Sequence, residues 1–178
     1  VGIRGPIILR QPFGAASSID GDDYLEAEEV PGAIDALRRL STELFFCRVY
    51  FVVKFDSVPY HNRIVHWLKH REVFRRTGIP QDNVLYCKQE MSVPDCCMGI
   101  GTTHLVYSQL ASLKQMMMSG VRLYAFNPHP QDEKRHAYLF VNRAQSFRPG
   151  RTSSPPRSLK LCRTWNDVLT DLNLGANP

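Results

Sequence analysis

"RVYFVVKFDSVPYHNRIVHWLKHREVFRRTGIPQDNVLYCK", residues 48–88, decides the fold. It opens on "RVYFVVKF" (48–55), an almost unbroken run of apolar and β-branched residues. A strand with one wet face alternates apolar and polar residues. An unbroken run marks a strand buried on both faces, as in a parallel sheet. "HNRIVHWLKHREVFRRTG" (61–78) then sets Ile64, Val65, Trp67, Leu68 and Phe74 on one wide arc, with His66, Lys69 and His70 opposite. That is the period of a helix, and Gly78 and Pro80 stop it. "NVLYCK" (83–88) is the next strand. Strand, helix and strand in this order make a βαβ unit with a right-handed crossover.

The same alternation extends in both directions. Upstream, "VGIRGPIIL" (1–9) is a strand candidate interrupted at Gly5-Pro6, because proline cannot donate to a ladder. A Gly/Ser/Asp loop runs through Asp23, and "VPGAIDALRRL" (30–40) places Ala33, Ile34, Ala36, Leu37 and Leu40 on one helical face. Downstream come a short helix near 94–99, the strand "THLVY" (103–107), a helix from Ser108 to Ser119 with Ser108 as N-cap, and the strand "VRLYAF" (121–126). Met116, Met117 and Met118 read as gap-filling residues. "HAYLFVN" (136–142) reads as a strand or extended arm, "RPGRTSSPPRS" (148–158) as an exposed loop, and "LKLC" (159–162) as an edge strand. "TWNDVLTDLNLG" (164–175) is a helix opened by a Thr164/Asp167 capping box and ended by Gly175.

The predicted fold is α/β and Rossmann-like: three αβα layers around a central, mainly parallel sheet. Three regions are expected: a core over 1–130, a basic Pro/Ser/Arg-rich extension with possible edge strands over 131–163, and a C-terminal helix over 164–175 that packs back on the core. The 178 residues suffice for a buried core without disulfides or metal. No apolar run approaches the roughly 18 residues of a membrane span. The chain opens on Val1 rather than Met, so nothing follows about a targeting segment.

Charge is unevenly spread. Residues 1–56 hold 6 Lys+Arg against 9 Asp+Glu, whereas 57–178 hold 16 against 8. From Lys134 to Arg163 there are eight basic residues and no acid. Such a segment either contacts phosphate backbones and acidic partners or is simply a solvated loop. The expected contact set is Arg63, Lys69, Arg71, Arg75 and Arg76 on the helix, with Lys134, Arg135, Arg143, Arg148, Arg151, Arg157, Lys160 and Arg163 beyond it. Cys47, Cys87, Cys96, Cys97 and Cys162 are odd in number and lack a C-x-x-C pair, which fits free thiols in a reducing compartment. They offer no zinc spacing. His66 and His70 stand i, i+4 without the Glu of a zinc-peptidase motif. His104, inside a strand, reads as a hydrogen-bonded core residue.

"EVPGAIDALRRL" (29–40), "RVYFVVK" (48–54), the stretch 61–88, "GTTHLVYSQLASL" (101–113) and "TWNDVLTDL" (164–172) resemble, in order and spacing, the capless phosphatase-like members of the haloacid dehalogenase superfamily. The resemblance covers roughly 1–125 and the last helix, and implies that family's fold without a large cap domain. It also implies where chemistry would sit. An Asp ending the first strand forms an aspartyl-phosphate, and a second carboxylate two residues on acts as acid and base. A hydroxyl after the second strand and a Lys or Arg before the fourth bind the phosphoryl group. Acids after the fourth strand hold Mg²⁺.

The matching positions here are empty of that chemistry. The first strand offers Gly2 and Arg4, the second ends on Val53, "MSVPDC" (91–96) lacks Lys and Arg, and the fourth is followed by Tyr107-Ser108-Gln109. The expectation is therefore a pseudoenzyme, with no catalytic residue, no cofactor, no metal and no small-molecule substrate. It would act as a structural or binding subunit of a larger assembly, with protein subunits and rRNA as partners and no membrane. A ribonucleoprotein such as a mitochondrial ribosome or its assembly intermediate fits the basic arm, and places the chain in the mitochondrion. Two alternatives stay open. Asp20-x-Asp22 could serve a relocated Mg²⁺-dependent phosphate-ester hydrolase, although the pair reads as a solvated turn. Arg4, Lys54 and Ser108 could still hold an anion without cleaving it.

Overall fold

The computed structural model describes residues 1–10, 19–54, 57–87, 90–140 and 159–174. Strands β1 (Phe51–Lys54), β2 (Val84–Cys87), β3 (His104–Tyr107), β4 (Arg122–Phe126) and β5 (Lys160–Cys162) alternate with helices. The pairs β1–β2, β3–β4 and β4–β5 are all parallel. The N-terminal segment forms isolated bridges and a turn over residues 5–7 rather than the strand expected over 1–9, and it joins the two halves: Gly2 bridges Val52 in parallel, Val52 N–H donates to the Val1 carbonyl at 2.8 Å, and Gly2 N–H donates to the Val106 carbonyl at 2.8 Å. Across the sheet the order is thus β2, β1, residues 1–4, β3, β4, β5.

Both faces are covered, as the unbroken apolar run requires. Phe51, Val53, Val106, Tyr124 and Phe126 share one core with α1 (Ala33–Arg39), α2 (Val58–His70), α3 (Val73–Thr77) and α7 (Trp165–Asp171). Val52, Leu105, Tyr107, Leu123 and Ala125 point the other way, onto α4 (Val93–Gly99) and α5 (Leu110–Gln115). Both indoles are anchored by hydrogen bonds: Trp67 Nε1 donates to the Ala27 carbonyl at 2.9 Å, and Trp165 Nε1 to the Pro6 carbonyl at 2.6 Å. The Thr164/Asp167 capping box forms, and a second, Ser92/Asp95, starts α4.

Several expectations are corrected. The helix over 61–78 is two helices, α2 and α3, broken at Arg71-Glu72, where Glu72 takes φ 51°. "HAYLF" forms a short 3₁₀ turn at Ala137–Leu139 after α6 (Pro130–Arg135), not a strand. Ser108 does not cap α5; Gln109 holds the N-cap position without a side-chain bond, and the helix ends at Gln115 rather than Ser119. Met116 is buried, but Met118 is fully exposed on a turn. His104 is half-buried rather than core, bonded to Thr103 Oγ1 at 2.9 Å and set between Phe45 and Tyr124. "LKLC" supplies the edge strand β5 as expected. The last helix ends at Asp171, with Leu172 as C-cap, short of Gly175; Gly175 and residues 141–158 lie outside the described residues.

Candidate functional site

Because residues 1–4 lie between β1 and β3, three strand ends converge at one place. In parallel sheets that crevice, beyond the carboxyl ends of the strands, is where ligands bind. A polar pocket of about 110 Å³ opens there, lined by Ile3, Arg4, Arg10, Val52, Val53, Lys54, Tyr60, Ile64, Tyr107, Ser108 and Gln109. Arg4, Lys54 and Ser108 do meet in it. Its walls carry three cations and no carboxylate. The N-terminus of α2, which supplies Tyr60, adds the positive end of a helix dipole.

Arg10 was not singled out from the sequence. No periodicity or motif marks it, since it lies just past the strand candidate over 1–9 that Gly5-Pro6 interrupts. Its Nη2 donates to Ser108 Oγ at 3.1 Å, and Ser108 Oγ donates to the Arg4 carbonyl at 2.9 Å. Burial first, then the Arg4 charge, lowers the Arg10 pKa, while Asp132 opposes the shift. An arginine keeps its proton under such pressure, so the pocket holds a partly desolvated cation. The hydroxyl that stands where the resemblance leads one to expect an acid is therefore a staple: Ser108 is 2% exposed and ties the N-terminal segment to the loop after β3. Gly5, at φ 101°, makes room for it, because a Cβ there would fall 2.7 Å from Ser108 Oγ. Gly2 has a similar reason: its Cβ would fall 2.3 Å from the Tyr107 ring. Val53 is buried core.

Asp20, the residue weighed as a relocated acid, comes back to this place. Its Oδ2 lies 2.6 Å from Arg4 Nη2, with both side chains about half exposed (44% and 46%). Asp22 points to solvent and reaches only 3.7 Å from Arg63.

The basic residues expected to meet RNA or an acidic partner take the following places in the fold. Arg63 donates to the Asp20 carbonyl at 2.7 Å and lies over the Tyr24 ring. Arg71 donates to the Ala27 carbonyl at 3.3 Å, Arg75 pairs with Glu72, and Arg76 pairs with Glu29. Lys160 pairs with Asp171 at 2.7 Å and Arg163 with Glu133 at 2.7 Å. Lys69, Lys134 and Arg135 are exposed. Arg143, Arg148, Arg151 and Arg157 lie outside the described residues.

A second cavity, about 280 Å³ and mostly apolar, lies at the opposite, amino ends of the strands, between Val1, Phe45, Val49, Thr103, His104 and Tyr124. Though larger, it gathers little convergent chemistry. The cysteines are free, and burial pushes the Cys162 thiol up to about 11, which makes it inert at neutral pH. Among the described residues, no three His, Cys, Asp or Glu side chains are grouped to hold a metal, and no helix is long and apolar enough to cross a membrane. No family model, curated protein or solved structure matches the chain.

Proposed function

We propose that the chain is a non-catalytic α/β domain of haloacid dehalogenase type, and that its strand-end pocket receives an anionic group instead of hydrolysing one. The observation that carries this reading is the pocket wall: Arg4, Arg10, Lys54 and Ser108 converge there without a carboxylate. Aspartyl-phosphate chemistry needs an acid as nucleophile and further acids to hold Mg²⁺. A guanidinium at the nucleophile's place repels the metal and attracts the phosphate. The central position of residues 1–4 supports the family assignment, because it brings the first, second and fourth strand ends of the resemblance to one crevice.

In this reading the domain is a building block of a larger particle. The basic stretch from Lys134 to Arg163 suits a ribonucleoprotein, of which a mitochondrial ribosome or its assembly intermediate is the instance proposed. The exposed Lys69, Lys134 and Arg135 are its RNA contacts among the described residues. Two measurements test the proposal. Purified protein supplied with Mg²⁺ and a panel of phosphate esters should show no turnover; turnover that Asp20→Asn abolishes would establish the hydrolase alternative instead. Native protein should co-purify with an RNA-containing particle and leave it as salt rises; isolation as a free monomer at low salt removes the ribonucleoprotein assignment.

A further inference from the structure

The three cations of the strand-end pocket are not equally available. Among the described residues, Arg10 and Lys54 form no ion pair with a carboxylate, whereas Arg4 is engaged by Asp20 at 2.6 Å. Asp20 is not a wall of the pocket. It approaches Arg4 from outside, on a short segment that the fold holds in place. Ile19 is buried at 3% exposure beside it, and Arg63 of α2 grips the Asp20 carbonyl at 2.7 Å while standing over Tyr24. The Tyr24 hydroxyl in turn bonds His66 Nδ1 of the same helix at 2.7 Å. The carboxylate is therefore delivered to Arg4 by a braced loop.

A guanidinium binds an oxyanion best through a free edge with two parallel N–H donors. A carboxylate already on Nη2 takes part of that edge and cancels much of the charge. From these contacts we infer that Asp20 is a built-in competitor for Arg4, so that the loop 19–23 sets how strongly the strand-end pocket binds a tetrahedral oxyanion. This inference rests on the anion-receptor reading above and adds its regulation. The incoming group must share or break the Arg4–Asp20 pair, and whatever moves the loop away from α2 opens the third cation to it. The brace and the pocket are separate, since Arg63 touches the loop but does not line the pocket.

Inorganic phosphate is the probe, titrated by calorimetry into the whole chain and its variants at fixed low salt, with circular dichroism to show that each is folded. Asp20→Asn should tighten phosphate by about 3- to 10-fold, the effect of removing one negative charge several ångströms from the ligand in a half-wet site. Arg63→Ala, which frees the loop without altering a pocket wall, should tighten it in the same direction and by less. In an Arg4→Ala background, Asp20→Asn should change little, because the competitor has lost its partner. The inference is overturned if the wild type binds, Arg10→Ala weakens it, and Asp20→Asn has no effect; the receptor reading then stands without its regulator. It is overturned also if Asp20→Asn tightens phosphate equally with and without Arg4, which would be a general charge effect. If neither the wild type nor Asp20→Asn binds phosphate, the receptor reading itself falls, and this inference with it.

Discussion

Replacing Gly2 by alanine tests the placement of the first segment in the middle of the sheet. On an ordinary strand, exchanging glycine for alanine stabilises by about 0.5–1 kcal/mol, because glycine loses more freedom on folding. Here the new methyl would stand 2.3 Å from Tyr107 Cδ2 and 2.7 Å from Cε2. Those are ring atoms near the backbone, not the far end of a flexible chain, and Tyr107 is only 7% exposed, packed among Val52, Leu105 and Leu110. The ring, packed in the smaller core with one edge on the strand-end pocket, must move by more than an ångström. Overpacking of this kind costs about 1–3 kcal/mol, which outweighs the entropic gain and reverses the usual sign. Urea unfolding followed by the fluorescence of the buried Trp67 and Trp165 should show a lowered midpoint at unchanged slope. Thermal unfolding should fall by about 2–8 °C for a chain of this size. Combined with Tyr107→Ala, the Gly2 substitution should lose most of its cost, giving a coupling energy of about 1 kcal/mol or more. A Gly2→Ala protein as stable as the wild type, or more stable, would refute the proposed packing of residues 1–4 between β1 and β3.

Other expectations follow from single contacts. Ser108→Ala leaves the part-buried Arg4 carbonyl without its donor and Arg10 without its acceptor, and should cost about 1–3 kcal/mol in chemical denaturation. Trp165→Phe removes the 2.6 Å bond to the Pro6 carbonyl 159 residues away and should destabilise by a similar amount, about 1–3 kcal/mol. Asp171 accepts from Lys160 and from the Tyr124 hydroxyl, and Lys160 is the main cause of its lowered pKa. A depressed folded-state pKa gives stability that is complete above the unfolded aspartate value near pH 4 and is lost as pH falls through the folded one. Unfolding free energy measured between pH 5 and pH 2 should therefore decline less steeply in Lys160→Met than in the wild type.

How much of this was written in the sequence depends on whether the cause is local. "RVYFVVKF" revealed a two-faced strand because burial on both sides leaves no polar position, and Thr164/Asp167 revealed a helix start because both partners of the box lie within four residues. The break at Glu72 was hidden: no glycine or proline marks it, and α3 starts afresh because Val73 is drawn into the core while Arg76 reaches Glu29. "HAYLF" has the composition of a strand, but its 3₁₀ turn leaves Tyr138 55% exposed and packs Leu139 and Phe140 against the smaller core. In the site, the lack of acids at the positions the resemblance points to was visible one position at a time. What replaced them was not, because Arg10, Ser108 and Asp20 are joined to the Arg4 turn by contacts that span up to 104 residues. Ser108 looked like a cap for its own helix, and its real partners belong to the other end of the chain. The intramolecular partners of the basic helix were hidden for the same reason: Arg63, Arg71 and Arg76 look solvated in sequence, yet each answers to a group in 20–29.

The central claim is that the strand ends form an anion receptor without hydrolytic chemistry. Titrating inorganic phosphate into isotopically labelled protein, with amide shifts followed by nuclear magnetic resonance, tests it most directly. The account predicts saturable shifts centred on Arg4, Lys54 and Ser108, weakened by Arg10→Ala, with no release of phosphate when an ester and Mg²⁺ are supplied in its place. Shifts confined to other surfaces, or release of phosphate from an ester that Asp20→Asn abolishes, would contradict it.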